Sequence, residues 1–384
     1  MTVLIDDNSN EPGTHAIVIG VGDYPCLKGG SNPNPFAHHM NMGQLSSPVK
    51  SVEQMTEWIR HQMDNNEKPL RSLGVLCSAP DPLQMTQENG NVVNIERASL
   101  ANVENAIVAW KNRADRHEGN IAMFYFCGHG LSFSDSEMSL LMEDFGSNEH
   151  SPMRHAVDLD KLKIGLGQHC KALNQIFFID ACRNTPTPDF LDQYGNSSSG
   201  EQIIAGGVAR NTRDKIRAVF YATSLGAAAY GQKGRSSLFT QGLLRAFKGS
   251  ASRGVGNGWE IVIEAIAEAV NKCVQSLSYE GALQYCQSRE ANKPLTLHRL
   301  QGKPEVVVKV VTNDRTLLPE AVFQYESLPL PPALTETRSQ PVQAPWWLHL
   351  PEGLYAFAAV SQSTQQSIGR FERHIAPPGQ EVAI

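Results

Sequence analysis

Two segments end in residues that could do chemistry together. In FYFCGHG (124–130) an apolar run leads directly into His129, set between two glycines. In FFIDACRN (177–184) a second apolar run leads into Asp180 and Cys182. An imidazole next to a thiol can take its proton and later return it to a leaving amine, while the thiolate attacks a carbonyl carbon. The tetrahedral oxyanion then needs backbone donors, and the amides of Gly130 and Cys182 stand where such donors would be required. Cys127 also lies near His129, but it falls inside the apolar run and is assigned to the core. The twin His38 and His39 have no spaced partners and are read as a solvated loop, so no metal site is expected.

Such a pair needs a scaffold that brings two strand ends to one edge. The runs HAIVIGV (15–21), RSLGVLC (71–77), NIAMFYFC (120–127), NQIFFIDA (174–181) and RAVFYAT (217–223) are apolar throughout, the pattern of strands buried on both faces of a parallel sheet. Helical patterns fill the gaps. Ser47 and Pro48 open one carrying Val52, Met55, Ile59 and Met63, and Ser99 caps another with Val103, Ile107 and Trp110. Asp158 opens a third, residues 236–248 form a fourth ending at Gly249, and 258–285 reads as a longer fifth. Alternation of this kind predicts an α/β domain, and in a parallel sheet the C-terminal strand ends share the edge where sites form.

From about residue 304 the helical period disappears. VVVKVV (306–311), WWLHLP (346–351), GLYAFAAV (353–360) and the closing PPGQEVAI read as strands, with 329–345 an exposed loop. The expected organisation is a disordered stretch over 1–13, an α/β domain over 14–303 and a small β-sandwich over 304–384.

The chain has 384 residues, 41% hydrophobic and 19% charged, with net charge −6. No basic tract is present, so nucleic acid is not an expected partner. The first residues lack the basic start and apolar run of a secretory signal, and no apolar stretch approaches the ~18 residues of a membrane span. Seven cysteines without a CxxC pair fit reduced thiols, so a cytoplasmic protein without a membrane partner is expected.

The histidine and cysteine segments together resemble the caspase and metacaspase family of cysteine peptidases, in particular its bacterial members. AIVIGVGDY, SSPVKSVEQM, ATSLGAAAYG and SSLFTQGLL extend the likeness over roughly residues 14–300. The resemblance implies a caspase-like α/β/α sandwich with a mostly parallel central sheet, carrying a cysteine endopeptidase with protein substrates. Cys182 would be the nucleophile and His129 its base. Asp180 stands where metacaspases carry an aspartate and caspases a glutamine, which implies cleavage after Arg, with Lys second, because a carboxylate at the pocket floor attracts a cation. Asp23 is a candidate second acidic pocket residue, while Arg235 keeps an acid-binding pocket open as an alternative.

The resemblance also implies a zymogen processed within 184–215, where Arg210, Arg213 and Lys215 are candidate cleavage sites for the enzyme itself or an upstream protease. Calcium dependence is common in metacaspases, but no acidic cluster maps onto this sequence, so no cofactor is assigned. Bacterial relatives suggest a role in antiviral defence. A rival expectation is a catalytically silent caspase-like scaffold that binds protein partners.

Overall fold

The computed structural model describes residues 1–384 apart from 135–136, 196–198, 207–214, 224–233, 279–283, 291–292 and 332. Contacts divide the chain into two compact units, residues 1–241 with 280–295, and residues 242–279 with 296–384.

The first unit is built on a seven-stranded sheet. Its strands are β1 (Thr2–Asp6), β2 (Thr14–Val21), β3 (Leu70–Ser78), β4 (Ile121–Gly128), β5 (Asn174–Ala181), β6 (Ile216–Tyr221) and β7 (Gln287–Arg289), in the spatial order β1-β3-β2-β4-β5-β6-β7. The five inner strands run parallel, and the edge strands β1 and β7 are antiparallel to their neighbours. Every residue of β2, β4 and β5 is buried, as their uninterrupted apolar character requires. The strand β1 corrects the expectation of a disordered 1–13. Its ladder to β3 orders the segment, and Arg71 and Arg113 pair with Asp7 and Asp6.

The helices among the described residues are α1 (Ser47–His61), α2 (Leu100–Ala114), α3 (Leu159–His169), α4 (Pro188–Tyr194), α5 (Leu238–Phe247) and α6 (Ile263–Leu277). Alternation along the strands decides which helix covers which face. Ile17, Ile19, Phe124, Phe126, Phe177 and Ile179 point to one side and share a core with Val103, Ile107 and Trp110 of α2 and Leu162 and Leu166 of α3. Each such buried side chain is worth about 1.5–3 kcal/mol in apolar burial. Gly20 faces the other side, where Val52 of α1 packs against it so closely that a Cβ would lie 2.4 Å from that side chain. The first turn of α5 lies on this second face as well, through Thr240 and Tyr125. The central sheet is therefore covered by helices on both faces.

Helix starts follow the sequence closely. Ser99 accepts from the Asn102 amide, and Asp158 accepts from the Lys161 amide at 2.8 Å. The first helix begins one residue earlier than expected: Ser46 is its N-cap, makes no side-chain cap bond, and Ser47 and Pro48 form the first turn.

The second unit contains α6 and three small sheets. The segment expected as one helix over 258–285 is a strand, Gly258–Val262, followed by α6. Trp259, Ile263 and Ile266 mimic a helical stripe. However, Gly256 at φ +56° turns the chain tightly, and Ser252–Val255 pairs back onto 258–261 as a hairpin. Further on, Glu305–Val311 lies between Trp346–Pro351 and Gln380–Ala383. A four-stranded sheet comprises Thr335–Arg338, Ala321–Ser327, Gly353–Ser361 and Ser367–Ile375. Val306, Val308 and Leu348 from one sheet and Phe323, Tyr325 and Phe357 from the other share one core, which makes a β-sandwich. The 329–345 stretch is not loop throughout, because 335–338 adds an edge strand.

Candidate active site

His129 and Cys182 each lie one residue beyond the end of a strand. In the parallel pairing of β4 with β5, Asp180 stands opposite Cys127 and Ala181 opposite Gly128. The same register resumes beyond the strand ends, where Leu131 bridges to Asn184 and the Ser132 amide donates to the Asn184 carbonyl at 2.9 Å. His129 and Cys182 are the residues that follow the last pair of the ladder, Gly128 and Ala181, on these neighbouring chains. The glycine after the histidine makes this approach feasible. A Cβ on Gly130 would lie 2.7 Å from the Cys182 carbonyl oxygen and 3.1 Å from Ala181 Cβ.

The histidine is held from four directions. Its amide donates to Tyr24 Oη at 2.8 Å, and its carbonyl accepts from the Leu141 amide at 3.0 Å. Its ring packs against the Tyr24 ring at 4.8 Å between centroids, and its Nε2 lies 2.7 Å from the Gly43 carbonyl. A carbonyl only accepts, so Nε2 carries the proton and Nδ1 keeps its lone pair. Burial pushes the His129 pKa below its ordinary value, and the Gly43 carbonyl partly opposes this. The resting ring is thus neutral with a basic nitrogen available, the form a general base needs.

All seven cysteines are described and none is in a disulfide. Cys182 is partly exposed, and Cys26, Cys77, Cys127, Cys170, Cys273 and Cys286 are buried. Burial pushes the Cys127 thiol well above its usual range, which agrees with its assignment to the core. Nucleophilic reactivity requires a thiolate that a reagent can reach, and Cys182 is the cysteine that meets the second condition.

A cavity of about 790 Å³ opens beside Cys182, with Gly22, Leu45, Ser47, Gly128, Asp180 and Ser237 among its walls. Asp180 is one of its lining residues and is itself buried. Its Oδ2 accepts from Ser237 Oγ, from Thr240 Oγ1 at 2.6 Å and from Tyr125 Oη at 3.3 Å. Ser237 Oγ also accepts from the Thr240 amide at 3.0 Å, so it caps α5 and binds the carboxyl together. Burial raises the Asp180 pKa, and these hydroxyls pull it partly back. Arg183 turns away from the cavity to Gln287, with its guanidinium 4.8 Å above the Tyr221 ring.

Other expected positions fall elsewhere. Asp23 is taken by Arg97, which binds its carboxylate at 2.5 Å and also holds Glu143 at 2.6 Å and the Ala79 carbonyl at 2.7 Å. Asp23 is thus part of an ion-pair network, and it is not among the residues that line the cavity. Arg235 is exposed. Lys215 is half-buried, with its ammonium on the Leu166 and Cys170 carbonyls at the end of α3. Arg210 and Arg213 lie outside the described residues. His38 packs against Phe36 and Tyr194, and His39 Nδ1 accepts from the Asn41 amide. Among the described residues no group of three or more His, Cys, Asp or Glu side chains is arranged to hold a metal. No helix among them is long and apolar enough to cross a membrane.

Tyr24, Gly43, Ser237 and Thr240 were not singled out in the sequence. Tyr24 had a local signal, as the aromatic residue closing GVGDY at the end of β2. The Gly43 carbonyl is a backbone group in a loop and leaves no trace in residue type.

The family model of the caspase domain matches residues 14–301. This chain belongs to the caspase-domain peptidase family. An uncharacterized protein of Sinorhizobium fredii, y4kE, is 28% identical over 253 residues, which cover 64% of this chain and 70% of that protein. A probable protease of a Desulfuromonadales bacterium is 28% identical over 182 residues, covering 44% of this chain but 18% of its own length. Among solved structures, caspase-1 of Spodoptera frugiperda aligns with a TM-score of 0.45 and 10% identity, covering 77% of this chain and 98% of that one. A Geobacter sulfurreducens protein, GSU0716, aligns at 0.42 and 15%, covering 72% and 93%. The two-faced α/β/α sheet described above is the caspase-like architecture.

Proposed function

We propose that this caspase-domain protein is a cysteine endopeptidase that cuts protein substrates after Arg, and less readily after Lys. Cys182 attacks the scissile carbonyl, and His129 Nδ1 takes the thiol proton and delivers it to the leaving amine. The amides of Gly130 and Cys182 hold the oxyanion, and water then hydrolyses the thioester by the reverse proton path. The observation that carries this reading is that His129 and Cys182 directly follow the paired ends of two neighbouring parallel strands, with the Gly43 carbonyl at the imidazole Nε2.

The basic specificity rests on Asp180. Its carboxyl lines the cavity next to the nucleophile, and among the described residues that line the cavity none is basic. Burial makes the carboxyl reluctant to ionise alone, so an incoming guanidinium or ammonium both neutralises it and is neutralised. Activation by cleavage between 184 and 215 belongs to the same proposal, with Arg210 and Arg213 as the sites favoured over Lys215, whose ammonium is bound at α3. A cytoplasmic setting and a part in antiviral defence are proposed on the family likeness alone.

A panel of fluorogenic peptides differing in the residue before the scissile bond tests the specificity. Release after Arg, weaker after Lys and negligible after Asp is expected; release after Asp alone would refute the acidic pocket. The activation step is tested by replacing Arg210, Arg213 and Lys215 together with Ala. Full activity of the uncut variant would refute it.

A further inference from the structure

A second cavity, of about 340 Å³, is lined by Met40, Met42, Leu131, Asn184, Thr185 and Thr187. Its place relative to His129 and Cys182 can be read along three separate chain segments. On the histidine segment, Cys127 and Gly128 line the Asp180 cavity, His129 follows, and Leu131 lines the second cavity. On the cysteine segment, Asp180 and Cys182 line the first cavity, and Asn184 and Thr185 line the second. On the preceding loop, Gln44 and Leu45 line the first, Gly43 binds His129, and Met42 and Met40 line the second. Each segment crosses from one cavity to the other at the reacting groups.

We infer that this second cavity receives the first residues on the leaving side of the scissile bond, and that it selects an uncharged side chain there. The inference rests on the endopeptidase reading above. A substrate with its basic side chain on Asp180 and its carbonyl at Cys182 has the His129 side as the path for its leaving chain. Leu131 and Met42 are 1% and 6% exposed and make an apolar floor. Asn184, Thr185 and Thr187 supply polar groups at the rim for the substrate backbone. Among the described residues that line it none is ionisable, so a charged side chain entering here would lose hydration without gaining a partner from them.

The loop that forms one wall is held in an unusual conformation. Met40 and Asn41 both have positive φ, +51° and +58°, in a region that residues with a Cβ rarely occupy. The surroundings enforce it: the Met42 amide donates to the His39 carbonyl at 2.8 Å, and the Lys28 amide donates to the Met42 carbonyl at 3.2 Å. The same turn places two methionines at the cavity and the next carbonyl on His129. Methionine is an adaptable surface for apolar side chains of varied shape.

The test uses internally quenched peptides that share Arg before the scissile bond and carry Leu, Met, Ser, Asp or Lys after it. With wild-type enzyme, kcat/KM for Leu and Met should exceed that for Asp and Lys by at least about tenfold. Thr185 is exposed, and Thr185→Asp places a carboxylate at the rim. In that variant the Lys-to-Leu ratio of kcat/KM should rise by about tenfold or more, a ratio that does not depend on the fraction of active enzyme. A flat profile in wild-type enzyme, or an unchanged ratio in a Thr185→Asp enzyme that still cuts after Arg, overturns this inference alone. Absence of cleavage in every peptide overturns the endopeptidase reading, and this inference with it.

Discussion

Replacing Tyr24 by Phe isolates one hydrogen bond at the base. The Tyr24 hydroxyl is the acceptor for the His129 amide at 2.8 Å, and the whole side chain is buried. Its other contact, to the Leu141 carbonyl at 3.3 Å, is long for an O–H donor and contributes little. Burial keeps the phenol protonated, so a neutral group is being removed. Phe retains the ring and its packing on the imidazole, and leaves the His129 amide in a dry site without its acceptor. Orphaning a buried donor costs about 1–3 kcal/mol. For a unit of this size that corresponds to a fall of roughly 2–10 °C in melting temperature. The amide belongs to the residue that must meet Cys182, so relaxation of the segment also moves the imidazole. A shift approaching 1 Å costs about 100-fold in rate, and a partial one about tenfold. Thermal unfolding by fluorescence and kcat/KM on an Arg-containing peptide read the two effects. Wild-type values in both would refute the claim that this hydroxyl positions the base.

Three further outcomes follow from the same geometry. Gly130→Ala puts a Cβ 2.7 Å from the Cys182 carbonyl, so the two strand ends must separate; kcat/KM should fall at least about tenfold with a smaller effect on stability, checked by kinetics and melting together. Asp180→Asn keeps an acceptor for the Ser237 and Thr240 hydroxyls but removes the charge, and should lower kcat/KM after Arg by about 30-fold or more while narrowing the preference over uncharged residues, read with the peptide panel. His15 is buried, with Nδ1 2.8 Å from Ser72 Oγ, and burial depresses its pKa to about 4. Its stabilising contribution is present above pH 6.5 and is lost as the pH falls through about 4, an effect of about 3 kcal/mol. Urea midpoints between pH 7 and 4 should therefore decline less steeply in His15→Asn than in wild type.

The parallel core and the strand-end position of the histidine and cysteine were legible because both follow from local pattern. Strands buried on two faces must be apolar throughout, and the side chains that follow them fall at one edge. The sequence misled where two periods overlap. Trp259, Ile263 and Ile266 carry helical spacing across a hairpin, and only the turn at Gly256 separates strand from helix. The edge strand at Thr2–Asp6 was missed because its order comes from partners distant in sequence, the β3 ladder and Arg113. The same holds for Asp23, whose fate is set by Arg97, and for the Gly43 carbonyl, which only the folded loop brings to His129. Residue types reveal which groups can react; the groups that hold them still are often backbone atoms, and a string of residue types does not record where those point.

The partly exposed Cys182 thiol is activated, in this mechanism, by the fixed His129 imidazole. Incubation with a peptidyl-arginine chloromethyl ketone, followed by intact-mass and peptide mapping, tests it most directly. A single adduct on Cys182 is expected, lost in Cys182→Ala and slowed by about 100-fold or more in His129→Ala. An adduct on another cysteine, or labelling of Cys182 at an undiminished rate without the histidine, would contradict it.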